Sequence, residues 1–141
     1  MSNGGLGEPV TIVIRWRDLD ALGHVNSAVF ATYFEETREA WLLRAFKGAV
    51  HRDEIVVARV EIDYLRPVTL EDEELLGSAL LLETGETRIV TGERLSTRDG
   101  AEVARAKTTL VLWDPKRSTS RTLTAEERER LAEILSAQAK A

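Results

Sequence analysis

A chain of 141 residues, 43% hydrophobic and 30% charged, with a net charge of −5, has the make-up of one soluble domain able to bury roughly 70% of its unfolded surface. The absence of cysteine excludes disulfides, thiolate nucleophiles and thiolate metal sites, leaving carboxylates, hydroxyls and two histidines to carry any chemistry. The acidic balance argues against a nucleic-acid surface, and no apolar run approaches the roughly 18 residues needed to span a membrane.

The opening residues, MSNGGLGE, lack the basic region and apolar stretch of a signal peptide, so residues 1–9 are expected to be a flexible tail and the protein cytoplasmic. VTIVIRW (10–16) is β-branched and follows Pro9, which predicts a strand. After the polar stretch RDLDALGH, the residues Phe30, Tyr33, Phe34, Trp41, Leu42 and Ala45 recur at helical spacing and Gly48 supplies a stop signal, predicting a helix over 27–47. So broad an aromatic stripe requires a wide apolar partner, most simply a sheet.

From Glu54 the period changes to two. Val56, Ala58, Val60, Ile62 and Tyr64 alternate with Val57, Arg59, Glu61 and Asp63, predicting a strand wet on one face and closed by Pro67. DEELLGSALLLET, TRIVTGERLST and AEVARAKTTLVLW follow, separated by the turn-like TGET and RDG, and read as an antiparallel meander. Thr124 with Glu127 forms a capping box ahead of Leu131, Ile134 and Leu135, which predicts a short amphipathic helix on the outside. The order is an α+β pattern: one domain over 10–141 in which a largely antiparallel sheet wraps a long helix. A parallel doubly wound sheet is excluded, because only the first connection holds a helix long enough to cross over.

Residues 18–27 concentrate polar chemistry ahead of the helix. A helix N-terminus presents unpaired N–H groups and a partial positive charge, so the amides of Ser27 and Ala28 could polarise a carbonyl oxygen. Gly23 permits a sharp turn and a close ligand approach, while Asp20, His24 and Asn26 bring a carboxylate, an imidazole and a carboxamide. A carboxylate beside a polarised carbonyl can attack it or deprotonate a water that does, which is the outline of an acyl-transfer site. The same residue types also serve as helix caps and Asx turns, and the residues alone leave both readings open.

DLDALGHVNS, followed by FATYFEETREAWL and EIDYLRPVTLEDEELLG, resembles the hotdog-fold acyl-thioesterases, specifically the 4-hydroxybenzoyl-CoA thioesterase-like group with its Asp-x-Asp-x-x-Gly-His-Val-Asn-Asn signature. The likeness runs from Val10 to Trp113, with Tyr64 to Pro67 as a second, weaker element. It implies a hotdog fold, a five-stranded antiparallel sheet around the long helix, and a homodimer or homotetramer that shares active sites between subunits. It further implies hydrolysis of an acyl-CoA or acyl-carrier-protein thioester without a cofactor, coenzyme A being part of the substrate. Asp20 takes the position of the catalytic carboxylate, as nucleophile or general base, and Asp18 that of a structural one. His24 and Asn26 match residues that position water or thioester, and Ser27 departs from the signature's second asparagine.

Glu35, Glu36, Arg38 and Glu39 are read as an exposed or interface charge face, although similar enzymes carry acidic residues there, some of them catalytic. Arg59, Arg66, Arg88, Arg94, Arg98 and Arg105 are candidates for phosphate contacts or for pairing with glutamates. His51 reads as an exposed bystander, and two distant histidines give no metal-site signal. Two other functions fit a hotdog fold: a non-catalytic acyl-thioester binding module, and a dehydratase or hydratase, whose Asp-x-Asn-Pro-x-His run is missing here.

Overall fold

The computed structural model describes residues 5–141. Residues 1–4 of the expected tail lie outside the described residues, whereas Gly5 and Glu8 offer their carbonyls to the Arg44 guanidinium at 3.3 and 2.7 Å. The elements in chain order are β1 (Val10–Val13), α1 (Ser27–Phe46), β2 (Ile55–Tyr64), β3 (Glu74–Thr84), β4 (Arg88–Thr97), β5 (Glu102–Asp114), β6 (Thr119–Ser120) and α2 (Ala125–Ala139). The sheet order is β1-β3-β4-β5-β2, antiparallel throughout, with the two-residue β6 paired to the end of β5. The sheet curls around α1, and β3, β4 and β5 form the expected meander.

Helix α1 begins where Asn26 accepts the Ala28 N–H at 2.9 Å and ends where Lys47 and Gly48 both turn left-handed, at φ 51° and 78°. Its buried stripe is Phe30, Tyr33, Phe34, Thr37, Arg38, Trp41, Ala45 and Phe46. The first half packs Phe30, Tyr33 and Phe34 against Ile12, Leu75 and Leu95, and the second packs Trp41 and Phe46 against Leu81, Ile89 and Leu112. Fully burying one such aromatic side chain contributes about 1.5–3 kcal/mol. Between the two apolar clusters, Thr37 lies so close to Gly77 of β3 that a Cβ there would overlap its hydroxyl, so glycine is what lets helix and sheet approach.

Three expectations need correction. The first strand stops at Val13, because Trp16–Asp18 form a single 3-10 turn that redirects the chain into the polar loop. Arg38 is not on an exposed charge face: it is 6% exposed and belongs to the core stripe. Strand β2 is wet on both faces, with Val56, Val57, Val60 and Tyr64 all at least 40% exposed. The cause is its place at the sheet edge, together with a register shift between Val57 and Arg59 that breaks its alternation.

The two edges of the sheet differ. β1 pairs only with Glu74–Gly77, leaving the rest of β3 uncovered by a strand, and α2 fills the gap by burying Leu131 and Ile134. The Gln138 carboxamide accepts the Leu81 N–H at 2.9 Å and donates to the Leu81 carbonyl at 2.7 Å, satisfying β3 in place of a strand. The capping box that starts α2 is formed in both directions, Glu127 N–H to Thr124 Oγ1 at 3.1 Å and Thr124 N–H to Glu127 Oε1 at 2.8 Å.

Candidate active site

The loop from Arg15 to Asn26 is built on two carboxylates. Asp18, 3% exposed, accepts the Tyr33 hydroxyl at 2.6 Å and the Arg15 N–H at 3.1 Å on Oδ2, with the Arg15 guanidinium 3.6 Å from Oδ1. Its own carbonyl accepts the Asn26 N–H at 2.9 Å, so one residue joins the loop to both the start and the second turn of α1. Burial opposes its charge, but the hydrogen bonds from Tyr33 and Arg15 outweigh it and hold the carboxyl below its ordinary value. Burial and the Asp18 carboxylate push the Tyr33 phenol well up, so it stays a donor. Asp18 is therefore structural.

Asp20 closes a tight loop on itself. Its N–H donates to the His24 carbonyl at 2.8 Å, its carbonyl accepts the Gly23 N–H at 3.1 Å, and its Oδ1 accepts the amides of Leu22 at 2.9 Å and His24 at 3.2 Å. Gly23 makes the turn at φ +79°, and the space where a Cβ would project is open, so conformation is what selects glycine there. Oδ2 of Asp20 has no partner among the described residues. The result is a half-buried carboxylate held by one oxygen with the other left open.

The residues at the helix start divide their labour. The Ala28 N–H is taken by the Asn26 cap, whereas the Ser27 N–H donates to no acceptor among the described residues. Of the two amides expected to face an acyl oxygen, Ser27 alone is free, and Asn26 is occupied as a cap. His24 is half-buried, its backbone bridged to Thr69, and its ring bonds to nothing among the described residues. Tyr64, expected from the sequence on one face of a strand and as part of a secondary resemblance, reaches from β2 to donate its hydroxyl to the Ser27 carbonyl at 3.0 Å, its ring meeting Phe30 edge-on at 5.4 Å.

A second polar group sits at the middle of α1, where the sequence predicts an exposed or interface charge face. Arg38 Nη1 donates to Glu93 Oε1 at 3.1 Å and to Thr108 at 3.4 Å, and the Thr108 hydroxyl donates to the same carboxylate oxygen at 2.6 Å. Glu93 Oε2, Thr91 Oγ1 and Trp41 Nε1 are buried there without partners among the described residues. Burial pushes the Glu93 carboxyl up, against the lowering effect of Thr108 and Arg38. The one available signal was a glutamate at the centre of the face of β4 that also carries Ile89 and Leu95. All six candidate arginines are paired with carboxylates, from Arg59 with Glu61 at 2.6 Å to Arg94 with Glu102 at 3.6 Å, so none stands apart as a phosphate ligand. Among the described residues, no group of three or more His, Asp or Glu side chains could hold a metal ion.

Five antiparallel strands curled around one long helix, entered by an acidic loop, define a hotdog-fold thioester hydrolase. The sequence matches the Thioesterase-like superfamily over residues 14–140, and the chain belongs to it. It is 31% identical over 127 residues to the long-chain acyl-CoA thioesterase FadM of Escherichia coli, spanning 88% of this chain and 96% of that protein. A Thermus thermophilus thioesterase solved with coenzyme A and zinc superposes with a TM-score of 0.80 at 30% identity, over 94% of this chain and 96% of the other. The DHNA-CoA thioesterase of Staphylococcus aureus shares the fold at a TM-score of 0.81 and 15% identity, covering 94% and 93% of the two chains.

Proposed function

We propose that the protein hydrolyses acyl-CoA thioesters to the free acid and coenzyme A thiol, with Asp20 as the reacting carboxylate. The observation that carries this reading is the half-open carboxylate of Asp20, fixed through Oδ1 and, among the described residues, without a partner at Oδ2, in the loop that leads to the Ser27 amide, likewise unbonded among them. The thioester carbonyl would accept the Ser27 N–H, whose partial positive charge at the helix start stabilises the oxyanion as it forms. Oδ2 then either attacks the carbonyl carbon, expelling thiolate and leaving a mixed anhydride that water cleaves, or removes a proton from the attacking water. His24, whose backbone bonds to Asp20 and whose ring has no partner among the described residues, would orient the thioester or the water, and Asn26 would hold the helix start in place. Both named coenzyme A relationships, in FadM and in the Thermus structure, favour coenzyme A over a carrier protein as the thiol.

The active unit would be a homodimer or a higher assembly built from it. Strand β2 leaves ten residues of edge uncovered and exposes Val56, Val57, Val60 and Tyr64, a surface that invites another strand. Pairing with a second copy of itself about a two-fold axis closes both edges at once. Among the described residues no helix is long and apolar enough to cross a membrane. We place the protein in the cytoplasm because acyl-CoA is made and used there.

The test is thiol release over a panel of acyl-CoAs by wild-type protein and Asp20→Asn. Asparagine retains an oxygen to accept the Leu22 and His24 amides, so the fold should hold while kcat/KM falls by about a hundredfold or more. Undiminished turnover by that variant would remove Asp20 from the reaction, and binding of acyl-CoA without turnover by the wild type would mark a binding module instead.

A further inference from the structure

A cavity of about 290 Å³ lies between the second half of α1 and the start of β2. Its apolar walls are Leu42, Leu43 and Phe46 of α1, Ile55 and Val57 of β2, and Leu110 of β5. One side chain is out of keeping with them. Arg38 lines the same cavity with its side chain only 7% exposed, and its two hydrogen bonds both leave from Nη1, so Nε and Nη2 donate to nothing among the described residues.

The location ties this cavity to the proposed chemistry. If β2 pairs antiparallel with its own copy about a two-fold axis at its midpoint, Ile55 lies at the end of the strand pair where the Tyr64 end of the copy lies. Tyr64 marks the start of α1 through its bond to Ser27, so the cavity of one subunit would face the acyl-polarising end of the other. An acyl chain leaving that carbonyl has the apolar walls to enter. A bare hydrocarbon that did so would strip water from guanidinium N–H groups without replacing it, and a buried unpaired donor is costly.

The charge balance narrows the chemistry further. Arg38 is already neutralised by Glu93, and Arg52 at the cavity is paired with Glu39. With both arginines paired and Glu35 also on the lining, the cavity offers no unpaired arginine to a second carboxylate on the chain. A neutral acceptor meets both conditions.

We propose that Arg38 is a specificity-determining residue, and that the cavity selects acyl groups carrying a hydroxyl or keto oxygen along the chain over unsubstituted chains of the same length. This rests on the thioesterase reading above and adds the class of acyl group. A site with a polar partner in place discriminates against an analogue lacking the matching group far more strongly than an apolar pocket discriminates by size.

The experiment compares kcat/KM for dodecanoyl-CoA with that for hydroxydodecanoyl-CoA isomers carrying the hydroxyl at successive positions. Calorimetric binding of the corresponding free acids supplies a readout independent of turnover. At least one isomer should be preferred about tenfold or more in both assays. The preference should fall to within about twofold in Arg38→Met/Glu93→Gln, which removes both charges together, and should weaken in Arg38→Lys, which keeps the ion pair but lacks the second N–H arm. If no isomer exceeds dodecanoyl-CoA, as when the partner chain itself fills the cavity, the proposal is overturned. A preference that survives in the double variant overturns it equally. Hydrolysis without preference would sink the role of Arg38 alone, whereas no hydrolysis of any acyl-CoA would take the underlying enzyme assignment with it.

Discussion

Asp18 and Asp20 stand two residues apart in the same loop and have opposite surroundings. Asp18 is sealed in, its carboxylate receiving the Tyr33 hydroxyl and the Arg15 amide, and its ionised form is favoured. Asp20 is half-buried and bonded through one oxygen only. A carboxylate whose acceptor sites are occupied by protein holds structure together, whereas one held by a single oxygen keeps a lone pair for chemistry. The difference arises from backbone geometry: the 3-10 turn aims Asp18 inward at α1, and the Asp20–His24 loop turns its carboxylate back on its own amides.

If that contrast holds, exchanging the same atom at the two positions should have opposite consequences. Asp18→Asn replaces the acceptor of a charged hydrogen bond by a donor facing the Tyr33 hydroxyl and should lower unfolding free energy by about 2–4 kcal/mol, read from the urea midpoint. Asp20→Asn should leave that midpoint nearly unmoved. An Asp18 variant as stable as wild type would dissolve the distinction.

The pH dependence sharpens the comparison. Because the folded carboxyl of Asp18 lies below its ordinary value of 3.8, its contribution is fully present above that pH and is lost as pH falls through the lower folded value. Glu93 has the reverse sign: burial raises its folded value above the ordinary 4.5, so the folded state binds the extra proton and is destabilised as pH rises past 4.5. Unfolding measured from pH 3 to 7 should therefore show the acid limb flattened in Asp18→Asn, and the decline above pH 4.5 flattened in Glu93→Gln. Identical pH profiles for the two variants would contradict the assignment of opposite signs.

Much of this architecture was legible in the sequence because it follows from periodicity. The aromatic spacing of α1, the Thr124 and Glu127 capping box, and the turns that make β3, β4 and β5 a meander are local signals, and the structure realises each one. The position of Arg38 was not legible, since a charged residue in the run EETREAW reads as solvated until the sheet supplies Glu93 and Thr108 beneath it. Likewise β2 alternates like a half-buried strand, but which strands lie at the sheet edges is a property of topology. The loop was legible in composition and not in geometry: nothing in DLDALGH states that Asp18 points in while Asp20 curls back, or that Asn26 claims the Ala28 amide and leaves Ser27 free.

The smallest expected effect concerns Tyr64, which joins the edge strand to the helix start. Its hydroxyl donates to the Ser27 carbonyl from a side chain that is 52% exposed, so water can replace much of what Tyr64→Phe removes. Stability should fall by less than about 1 kcal/mol. The ring contact with Phe30 is untouched by the change, leaving only the hydrogen bond at issue. If that bond helps orient the Ser27 peptide, kcat should fall a few-fold with KM nearly constant, because an oxyanion contact strengthens as the transition state forms. A rise in KM at constant kcat would instead make Tyr64 a wall of the substrate cleft, and would leave the aim of the Ser27 amide to the Asn26 cap and Asp18 alone.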